Sequence, residues 1–235
     1  HTCALLGTGA VKCWGNNFSG QLGDGSNNDS SMPRSLAGLN DSVTRIAAGF
    51  DHTCYLRLQG EVRCWGGNFA GGLGDGTTTG RNTPSAAVAG LPEVIEIAAG
   101  LGYTCARLLL SGEVYCWGAN AYGQLGDGTT TERHAPVLVG GLLATRLAVD
   151  GDGNHSCALR PTGEVACWGF NRYGRLGDGT TTNRSTPTQV LGLTAAVEIA
   201  AGGSHTCALR DTGVPSCWGF NAYGQLGDGT FEDRL

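Results

Sequence analysis

The dipeptide Cys-Trp recurs along the whole chain at almost constant spacing, and no other feature limits the possible folds as strongly. It contains all five tryptophans of the 235-residue chain, and successive copies are 51, 52, 51 and 50 residues apart. A second cysteine precedes each copy, so all ten cysteines belong to one pattern. Self-similarity at a fixed period is typical of repeat architectures. The cysteine pairs are Cys3 and Cys13, Cys54 and Cys64, Cys105 and Cys116, Cys157 and Cys167, and Cys207 and Cys217.

Each repeat has the alternation of apolar and polar residues that β-strands require. Residues 97–100 predict a short buried strand, and residues 52–57 and 61–65 flank a glycine turn, as the two strands of a hairpin do. Residues 84–91 predict a fourth, weaker strand, whose initial proline suits a sheet edge. Four strands in a unit of about 51 residues predict an all-β fold, a β-propeller with four-stranded blades. A solenoid of stacked sheets is the alternative.

Five repeats are visible when the chain is aligned on the residue two positions before each first cysteine. They comprise residues 1–51, 52–102, 103–154, 155–204 and 205–235. We interpret residues 1–235 as one propeller domain with an incomplete fifth repeat. The first and last repeats lack the same strand-forming stretch, so we expect the chain to be part of a longer, closed ring. The alternative is an open or five-bladed structure, whose free sheet edges would pair with another chain.

The hairpin register can be tested by arithmetic, because facing residues of an antiparallel ladder have residue numbers with a constant sum. If Cys54 faces Cys64, then Leu56 faces Val62, and both pairs lie on one side of the sheet. Facing side chains of a non-hydrogen-bonded pair come close enough to form a disulfide. The third repeat has one extra residue, so residues 107–112 must contain a bulge or a longer turn. We therefore predict five disulfides, one in each blade.

Such disulfides indicate an oxidising compartment, so the predicted location is secreted, periplasmic or at the cell surface. Two alternatives remain open for the cysteines. They could be buried, reduced thiols of a cytosolic protein, or zinc ligands, although the chain contains no Cys-x-x-Cys motif.

The repeat consensus is similar to that of a known family. The run I-A-A-G-x-x-H-T-C-A-L, followed by G-x-V-x-C-W-G-x-N-x-x-G-Q-L-G-D-G-T, resembles the repeat of the regulator of chromosome condensation family over the full chain. The resemblance implies a propeller with about seven blades. It also implies function through loops and rims: one member is a nucleotide exchange factor for a small GTPase, and others are secreted bacterial inhibitors of β-lactamases. The paired cysteines are more similar to the secreted bacterial members.

Composition and motifs disfavour several classes of function. The net charge is −5 and Lys12 is the only lysine, so the clustered cations that bind nucleic acid are missing. No uninterrupted apolar stretch is long enough to predict a membrane span. The sequence contains no nucleophile elbow, P-loop, zinc-protease motif or dinucleotide fingerprint, so we expect neither an enzyme nor a cofactor.

Several polar residues recur at the repeat period, and we interpret them as framework residues. A histidine opens every repeat except the third, which has Tyr103; a ring of imidazoles that binds metal is the alternative. Asparagine and aspartate recur in the loop after Cys-Trp-Gly, where their side chains commonly hydrogen-bond nearby backbone. These sets are His1, His52, His155 and His205; Asn17, Asn68, Asn120, Asn171 and Asn221; and Asp24, Asp75, Asp127, Asp178 and Asp228.

Residues 150–154 depart from the repeat. Their sequence, D-G-D-G-N, places oxygen-bearing side chains at Asp150, Asp152 and Asn154, which is similar to the start of a calcium-binding loop. The similarity then ends, because His155 stands where an EF-hand has glycine. A plain acidic turn is the main interpretation, and a calcium site is the alternative.

Positions that vary between repeats are the candidates for partner binding. The variable positions after Trp-Gly contain aromatic residues and arginine, which are typical anchors of protein interfaces. Tyrosines at the neighbouring position, such as Tyr122, would alternatively pack between blades. The predicted partner-binding residues are Phe170, Arg172, Phe220, Phe18 and Phe69.

Together these features predict an extracellular, non-catalytic scaffold that presents variable loops to a protein partner on a rigid, disulfide-reinforced propeller. The first alternative is a structural component of a cell surface or filament that self-assembles through open sheet edges. A further alternative is a GTPase-binding exchange factor, which requires a reducing compartment.

Overall fold

A computed structural model describes residues 1–38 and 43–235, and in this part of the chain nearly all regular structure is β-strand. The strands form five antiparallel sheets, which we number as blades 1 to 5. No helix in the described residues has the length and apolarity to span a membrane. Blade 1 contains β1 (Thr2–Leu5), β2 (Val11–Gly15) and β3 (Ser30–Ser35); blade 2 contains β4 (Val43–Ala48), β5 (His52–Arg57) and β6 (Val62–Gly66); blade 3 contains β7 (Val94–Ala99), β8 (Tyr103–Leu108), β9 (Glu113–Gly118) and β10 (Arg133–Leu143). Blade 4 contains β11 (Arg146–Val149), β12 (His155–Leu159), β13 (Val165–Gly169) and β14 (Arg184–Gln189), and blade 5 contains β15 (Ala196–Ala201), β16 (His205–Arg210) and β17 (Pro215–Gly219).

The sheets are arranged around an axis as propeller blades. The innermost strands contact one another in order, β4 with β7, β7 with β11, and β11 with β15, so they line the axis. Each innermost strand belongs to the end of one sequence repeat, whereas the next strands belong to the following repeat. The all-β propeller prediction is therefore confirmed. Blades 2 to 5 each combine two neighbouring repeats, whereas the strands of blade 1 all belong to the first repeat.

The predicted hairpin register is confirmed. In blade 2, Cys54 faces Cys64 and Leu56 faces Val62. In blade 3 the whole ladder keeps one register, so the extra residue lies in the turn after β8 rather than in a bulge.

All ten cysteines form the five predicted disulfides, each within one blade and with Cα atoms 4.0 or 4.1 Å apart. Among the described residues no cysteine is free, so the structure agrees with neither reduced thiols nor zinc ligands. The bridges join Cys3 to Cys13, Cys54 to Cys64, Cys105 to Cys116, Cys157 to Cys167, and Cys207 to Cys217.

The outer edge of the blades differs from the prediction in one place. Blades 1, 3 and 4 have a fourth-position strand, but residues 84–91 of blade 2 do not form one, so that prediction is wrong. Only scattered hydrogen bonds join this segment to β6, from Ser85 N to Cys64 O and from Val88 N to Val62 O, both 2.9 Å. Two isolated bonds do not make a regular ladder. Proline does not account for the difference, because Pro33, Pro136 and Pro187 lie within the outer strands of blades 1, 3 and 4.

Neighbouring blades are joined by the recurring tryptophan, threonine and histidine. Trp117 Nε1 and the Thr104 hydroxyl of blade 3 both donate to Gly72 O of blade 2, at 2.9 Å. His52 Nε2 lies 2.9 Å from the Thr104 oxygen. Because the Thr104 proton goes to Gly72, the imidazole donates from Nε2 to the Thr104 oxygen. Gly74 has a φ of +70°, and a Cβ there would lie 2.6 Å from Trp117 Nε1, so the tryptophan requires glycine at this position.

The joint between blades 3 and 4 uses a different pair. Tyr103 replaces the histidine, and Ser156 replaces the threonine of the next blade. The longer tyrosine donates to His155 O at 2.7 Å, and the Ser156 hydroxyl lies 3.1 Å from the phenolic oxygen. Tyr103 and Ser156 therefore replace the usual histidine and threonine as a pair that contact each other. These contacts agree with the framework interpretation of the recurring histidines.

The two ends of the propeller carry different connections. One end has the short loops that follow each innermost strand and the long loops that follow each Cys-Trp-Gly; we call it the loop face. The other end has the hairpin turns, such as that between β5 and β6; we call it the turn face. All predicted partner-binding residues lie on the loop face.

Candidate functional site

The long loops of the loop face are held by a buried asparagine. Asn68 Nδ2 donates to Thr77 O at 3.0 Å and to Thr79 O at 3.2 Å, and Asn68 Oδ1 accepts from Leu73 N at 2.9 Å. One side chain thus closes a loop without any regular secondary structure. The same arrangement recurs at Asn17, Asn120, Asn171 and Asn221.

The recurring aspartate holds the far side of the same loop. Asp75 accepts from the backbone and hydroxyl of Thr77, at 3.0 and 2.7 Å, and pairs with Arg81 at 2.9 Å. Burial alone would raise the pKa of Asp75, but the hydrogen bonds from Thr77 and Arg81 lower it below its usual value. This carboxylate is therefore ionised at neutral pH, and its contacts hold the loop.

Aromatic side chains from neighbouring blades stack on each other across the loop face. Tyr122 of blade 3 lies against Phe170 of blade 4, with ring centroids 4.5 Å apart. Tyr173 of blade 4 lies against Phe220 of blade 5 at 4.7 Å, and Tyr223 meets Phe220 at 5.8 Å. We call these five residues and Arg172 the aromatic ridge. Tyr122 and Tyr173 therefore pack between blades, whereas Tyr223 contacts a ring of its own blade and is exposed, so the two interpretations of the sequence are compatible.

Two arginines extend the stacking. The Arg172 guanidinium is exposed and lies 4.8 Å from the Tyr173 ring centroid, and that of Arg175 lies 4.8 Å from Phe170. Arg175 is only 3% exposed, and it donates to Gly203 O at 2.6 Å. Sequence reasoning missed Arg175. The repeat contained a signal for it, because arginine there replaces the glutamine of Gly-Gln-Leu-Gly-Asp-Gly.

The five predicted partner-binding residues are not equivalent. Phe18 and Phe69 are 83% and 63% exposed, whereas Phe170 and Phe220 are half-buried beneath the ridge tyrosines. Tyr173, next to Arg172, has a φ of +68°, a conformation that is unusual for a residue with a large side chain. Such backbone strain persists only where the surrounding structure holds it, and it is often found at functional sites.

A cavity of about 670 Å³ opens at the axis on the loop face. We call it the axial cavity. Its walls include Phe18 of blade 1, Phe50 and Asp51 of blade 2, and Asp150 and Asp152 of blade 4. Asp150 is half-buried, and this burial raises its pKa, opposed in part by hydrogen bonds from backbone N–H groups. The cavity therefore brings two carboxylates of the third repeat close to two aromatic rings and a carboxylate of the first repeat.

The predicted calcium ligands only partly converge. Asp150 Oδ2 accepts from the backbone N of Asp152 at 3.2 Å, so these two residues form a local turn. Asn154 instead directs its side-chain oxygen to Gln124 Nε2, at 3.2 Å. Within the described residues, no group of three or more His, Cys, Asp or Glu side chains is arranged to hold a metal ion. The contact between Asp150 and Asp152 is that of an acidic turn, the main interpretation of this sequence, and the calcium site stays an untested alternative.

The sheets, the axial arrangement and the recurring blade joints define a β-propeller built from sequence repeats. Residues 1–235 match the family model of the RCC1-like domain, and the chain belongs to this family. It is 34% identical over 193 residues to the ultraviolet-B receptor UVR8 of Arabidopsis thaliana, a match that covers 81% of this chain and 44% of the receptor. It is 35% identical over 178 residues to the human probable E3 ubiquitin-protein ligase HERC4, covering 73% of this chain and 17% of the ligase. The chain thus spans less than half the length of either relative.

Solved structures show the same fold. Prp20p from Saccharomyces cerevisiae, a protein studied for its binding properties to Gsp1p and histones, aligns with a TM-score of 0.83 and 26% identity. That alignment covers 96% of this chain and 58% of the yeast chain. Human WBSCR16 aligns with a TM-score of 0.80 and 27% identity, covering 95% of this chain and 60% of the human chain.

Proposed function

We propose that this propeller is a non-catalytic scaffold that binds a protein partner through its loop face. The observation that carries the proposal is the aromatic ridge together with Phe18 and Phe69, because they place aromatic side chains and an arginine at variable positions of one surface. Tyrosine, phenylalanine and arginine are enriched in the centres of protein interfaces.

The rigidity of the loop face supports the same function. Buried asparagines hold the long loops, and a disulfide crosses the hairpin beneath each of them. A surface that is already ordered loses little conformational entropy when a partner binds. The backbone is therefore common to all blades, while the exposed side chains differ from blade to blade, which lets one framework present a specific surface.

Relatives support protein binding without naming the partner of this chain. Yeast RCC1, Prp20, has been crystallised bound to Kap60, and that chain is 25% identical to this one with a TM-score of 0.83. Fold similarity alone does not transfer a partner. The chemistry of the loop face, rather than the relatives, defines what a partner must match.

We further propose that the protein works in an oxidising compartment, as a secreted, periplasmic or cell-surface protein. Five disulfides in a chain of this size support that location, because cytosolic thiols are normally kept reduced. Alkylation of the natively isolated protein before and after reduction tests the proposal. We expect ten thiols only after reduction, and thiols that react without it would instead favour the exchange-factor alternative.

Site-specific photo-crosslinking tests the loop face. A photoreactive phenylalanine replaces Phe69 or Tyr223 on the loop face, and Leu58 or Leu110 on the turn face provides matched controls, since all four side chains are exposed. We expect a crosslinked protein from the loop-face positions only. Equal or stronger crosslinking from the turn face would overturn the proposal.

A second measurement compares partner capture by variants in which one exposed arginine is replaced by alanine. Arg172→Ala should weaken capture of the crosslinked partner by about 5- to 30-fold, as expected for an interface residue that contributes about 1–2 kcal/mol. Arg146→Ala, an exposed arginine on β11, is the control and should leave capture unchanged. Equal capture by both variants would show that the ridge does not bind the partner.

A further inference from the structure

We propose that the tip of the long loop of blade 4 binds a carboxylate group of the protein partner, through the Arg172 guanidinium and the backbone N–H of Tyr173. This inference rests on the proposed function, because the partner supplies the carboxylate. It goes further by assigning a ligand chemistry to one place on the aromatic ridge. The structural basis is a backbone turn that differs from the matching turns of the other blades.

A four-residue turn lies at the start of each long loop. In blade 4 it comprises residues 171–174, and Gly174 N donates to Asn171 O at 3.1 Å. The same bond closes the four matching turns, at 2.8 to 3.0 Å. Tyr173 has a φ of +68° and a ψ of +14°, which is the geometry of the third residue in a type II turn. The residues that match Tyr173 are Ser19, Ala70, Tyr122 and Tyr223, and none of them has a positive φ.

The buried Arg175 accounts for this difference. In blades 1, 3 and 5 a glutamine occupies its position and accepts from the backbone N–H of the turn, as Gln124 Oε1 does from Tyr122 N at 3.0 Å. Arginine has no acceptor atom. Its Nε instead donates to Arg172 O at 3.1 Å, so a carbonyl takes the inner position that an N–H has in the other three blades. The arginine thus holds the peptide between residues 172 and 173 in the reverse orientation, and Tyr173 in its unusual φ.

The reversed peptide directs its N–H toward the surface of the loop face. The C=O and N–H of a planar trans peptide point in opposite directions. Because the Arg172 carbonyl points to the buried Arg175, the N–H of Tyr173 points away from the interior. Within the described part of the chain, no acceptor receives a hydrogen bond from Tyr173 N. Blade 4 therefore presents a backbone donor where blades 1, 3 and 5 present a carbonyl.

The Arg172 guanidinium lies next to this donor and is also particular to blade 4. Phenylalanine or alanine occupies the matching position of the other four repeats. Among residues 1–38 and 43–235, no carboxylate lies within 4.0 Å of the Arg172 nitrogens, whereas Asp178 in the same loop pairs with Arg184 at 2.7 Å. Arg175 adds a second positive charge behind the peptide. Guanidinium groups and backbone N–H donors form strong hydrogen bonds with carboxylates, so the two donors match such a ligand.

A titration with small carboxylates tests the inference without the partner. Nα-acetyl-glutamate methylamide carries a side-chain carboxylate, Nα-acetyl-alanine carries a C-terminal one, and Nα-acetyl-glutamine methylamide is the neutral control. We expect a saturable downfield shift of the Tyr173 amide proton with the carboxylates. Tyr122 is the internal control and should not shift, because Gln124 already holds its N–H. Absence of a saturable shift, or an equal shift with the neutral probe, would overturn the inference.

The two carboxylate probes also distinguish the source of the ligand. Stronger binding of Nα-acetyl-glutamate methylamide would support an acidic side chain of the partner, and stronger binding of Nα-acetyl-alanine would support its C-terminus. Both results support a carboxylate site.

Variants of Arg175 test whether the reversed peptide creates the site. Arg175→Gln supplies the acceptor found in blades 1, 3 and 5, so Tyr173 should return to a negative φ and carboxylate binding should weaken at least about tenfold. Arg175→Lys also lacks an acceptor and should keep both the positive φ and the binding. A strong intraresidue HN–Hα nuclear Overhauser cross-peak reports the positive φ. Equal binding by the two variants would refute the role of the peptide.

Arg172→Gln provides a second variant at an exposed position, so the test does not depend on the folding of Arg175→Gln. It should also weaken carboxylate binding at least about tenfold. Arg146→Gln, at an exposed arginine on β11, is the matched control and should leave binding unchanged. Unchanged binding by Arg172→Gln would contradict the inference.

The two proposals fail separately. If the carboxylates do not bind but the loop face still crosslinks a partner, the tip of blade 4 is not a carboxylate site and the proposed function stands. If they bind but crosslinks arise from the turn face, the carboxylate site stands and the proposed function falls.

Discussion

The blade joints and the loop face use the same repeat in opposite ways. At the joints, residues that recur in nearly every repeat are buried and hydrogen-bonded, as Trp117 and Thr104 are to Gly72. On the loop face, the backbone recurs but the exposed side chains differ, as Phe69 and Arg172 do. The residues that recur between repeats therefore hold the blades together, whereas the residues that vary between repeats form the exposed surface of the loop face.

This difference between the joints and the loop face predicts that substitutions at the joints lower the free energy of unfolding and do not directly change partner binding. The strongest case is Trp117→Ala, which removes a fully buried indole between blades 2 and 3. The free energy of unfolding should fall by about 3–5 kcal/mol, the usual cost of such a truncation. Denaturant unfolding measures it. Trp117→Phe keeps much of the volume and should cost less, and equal stability of Trp117→Ala and the parent would contradict the role of the joint.

Removal of one disulfide has the next largest effect. Replacing Cys54 and Cys64 together by alanine opens a loop with a sequence separation of 10. The chain-entropy model gives a loss of about 2–3 kcal/mol in unfolding free energy. Replacement of Cys157 and Cys167, which have the same separation, is the matched comparison and should cost a similar amount. A loss confined to one blade would show that local packing outweighs loop closure.

Acid should weaken one joint specifically. Burial lowers the pKa of His155 to about 3 from its ordinary value of 6.5, so the folded protein keeps this imidazole neutral while the unfolded chain protonates it. Its stabilising contribution is fully present above about pH 6.5 and is lost as the pH falls from there toward 3, by up to about 1.4 kcal/mol per pH unit. Unfolding free energies across this range should therefore fall more steeply for the parent than for His155→Gln.

The parent and His155→Gln share every other titrating group, so the difference between their unfolding free energies is specific to His155. The recurring aspartates, such as Asp127 and Asp178, have lowered pKa values because hydrogen bonds from threonine and arginine outweigh burial. They add their own loss of stability below about pH 4, equally in both proteins. Parallel curves for the parent and His155→Gln would refute the assignment.

A smaller loss of stability is expected at the joint between blades 3 and 4, where a tyrosine and a serine replace the usual histidine and threonine. Tyr103→Phe removes the hydrogen bond to His155 O, and Ser156→Ala removes the hydroxyl beside the phenol. Each should cost about 1 kcal/mol, and the double variant should cost less than their sum by about 0.5 kcal/mol or more. A double-mutant cycle in denaturant measures this coupling. Strict additivity would mean that the two replacements in the repeat are independent.

Much of the fold follows from the spacing of a few residues. The separation of Cys54 from Cys64 correctly predicts the register and the disulfide, because both depend on a single hairpin. The missing outer strand of blade 2 could not be predicted, because the matching segments of blades 1, 3 and 4 also contain proline and do form strands. Whether this edge pairs regularly depends on its contacts with β6, which the sequence of one repeat does not reveal. Local contacts were thus predictable where the chain is regular.

The candidate site was predictable only in part. The sequence places Phe170 and Phe220 at variable loop positions, but it does not show that tyrosines of the preceding blade cover them. The axial cavity brings Asp51 together with Asp150, residues two repeats apart. Contacts of this kind depend on how many degrees each blade turns about the axis, and a single repeat contains no information about that angle.

The smallest effect on stability should come from the loop face itself. Tyr223 is 85% exposed, and Phe69 is 63% exposed with its ring above Gly102 of the next blade. Tyr223→Ala and Phe69→Ala should each change the unfolding free energy by less than about 0.5 kcal/mol, as surface substitutions usually do. If the loop face is the binding surface, the same variants should lower partner capture severalfold. Combined stability and capture measurements therefore separate the two uses of the repeat: a variant that loses stability but still captures the partner when folded belongs to the joints, and one that loses capture alone belongs to the surface.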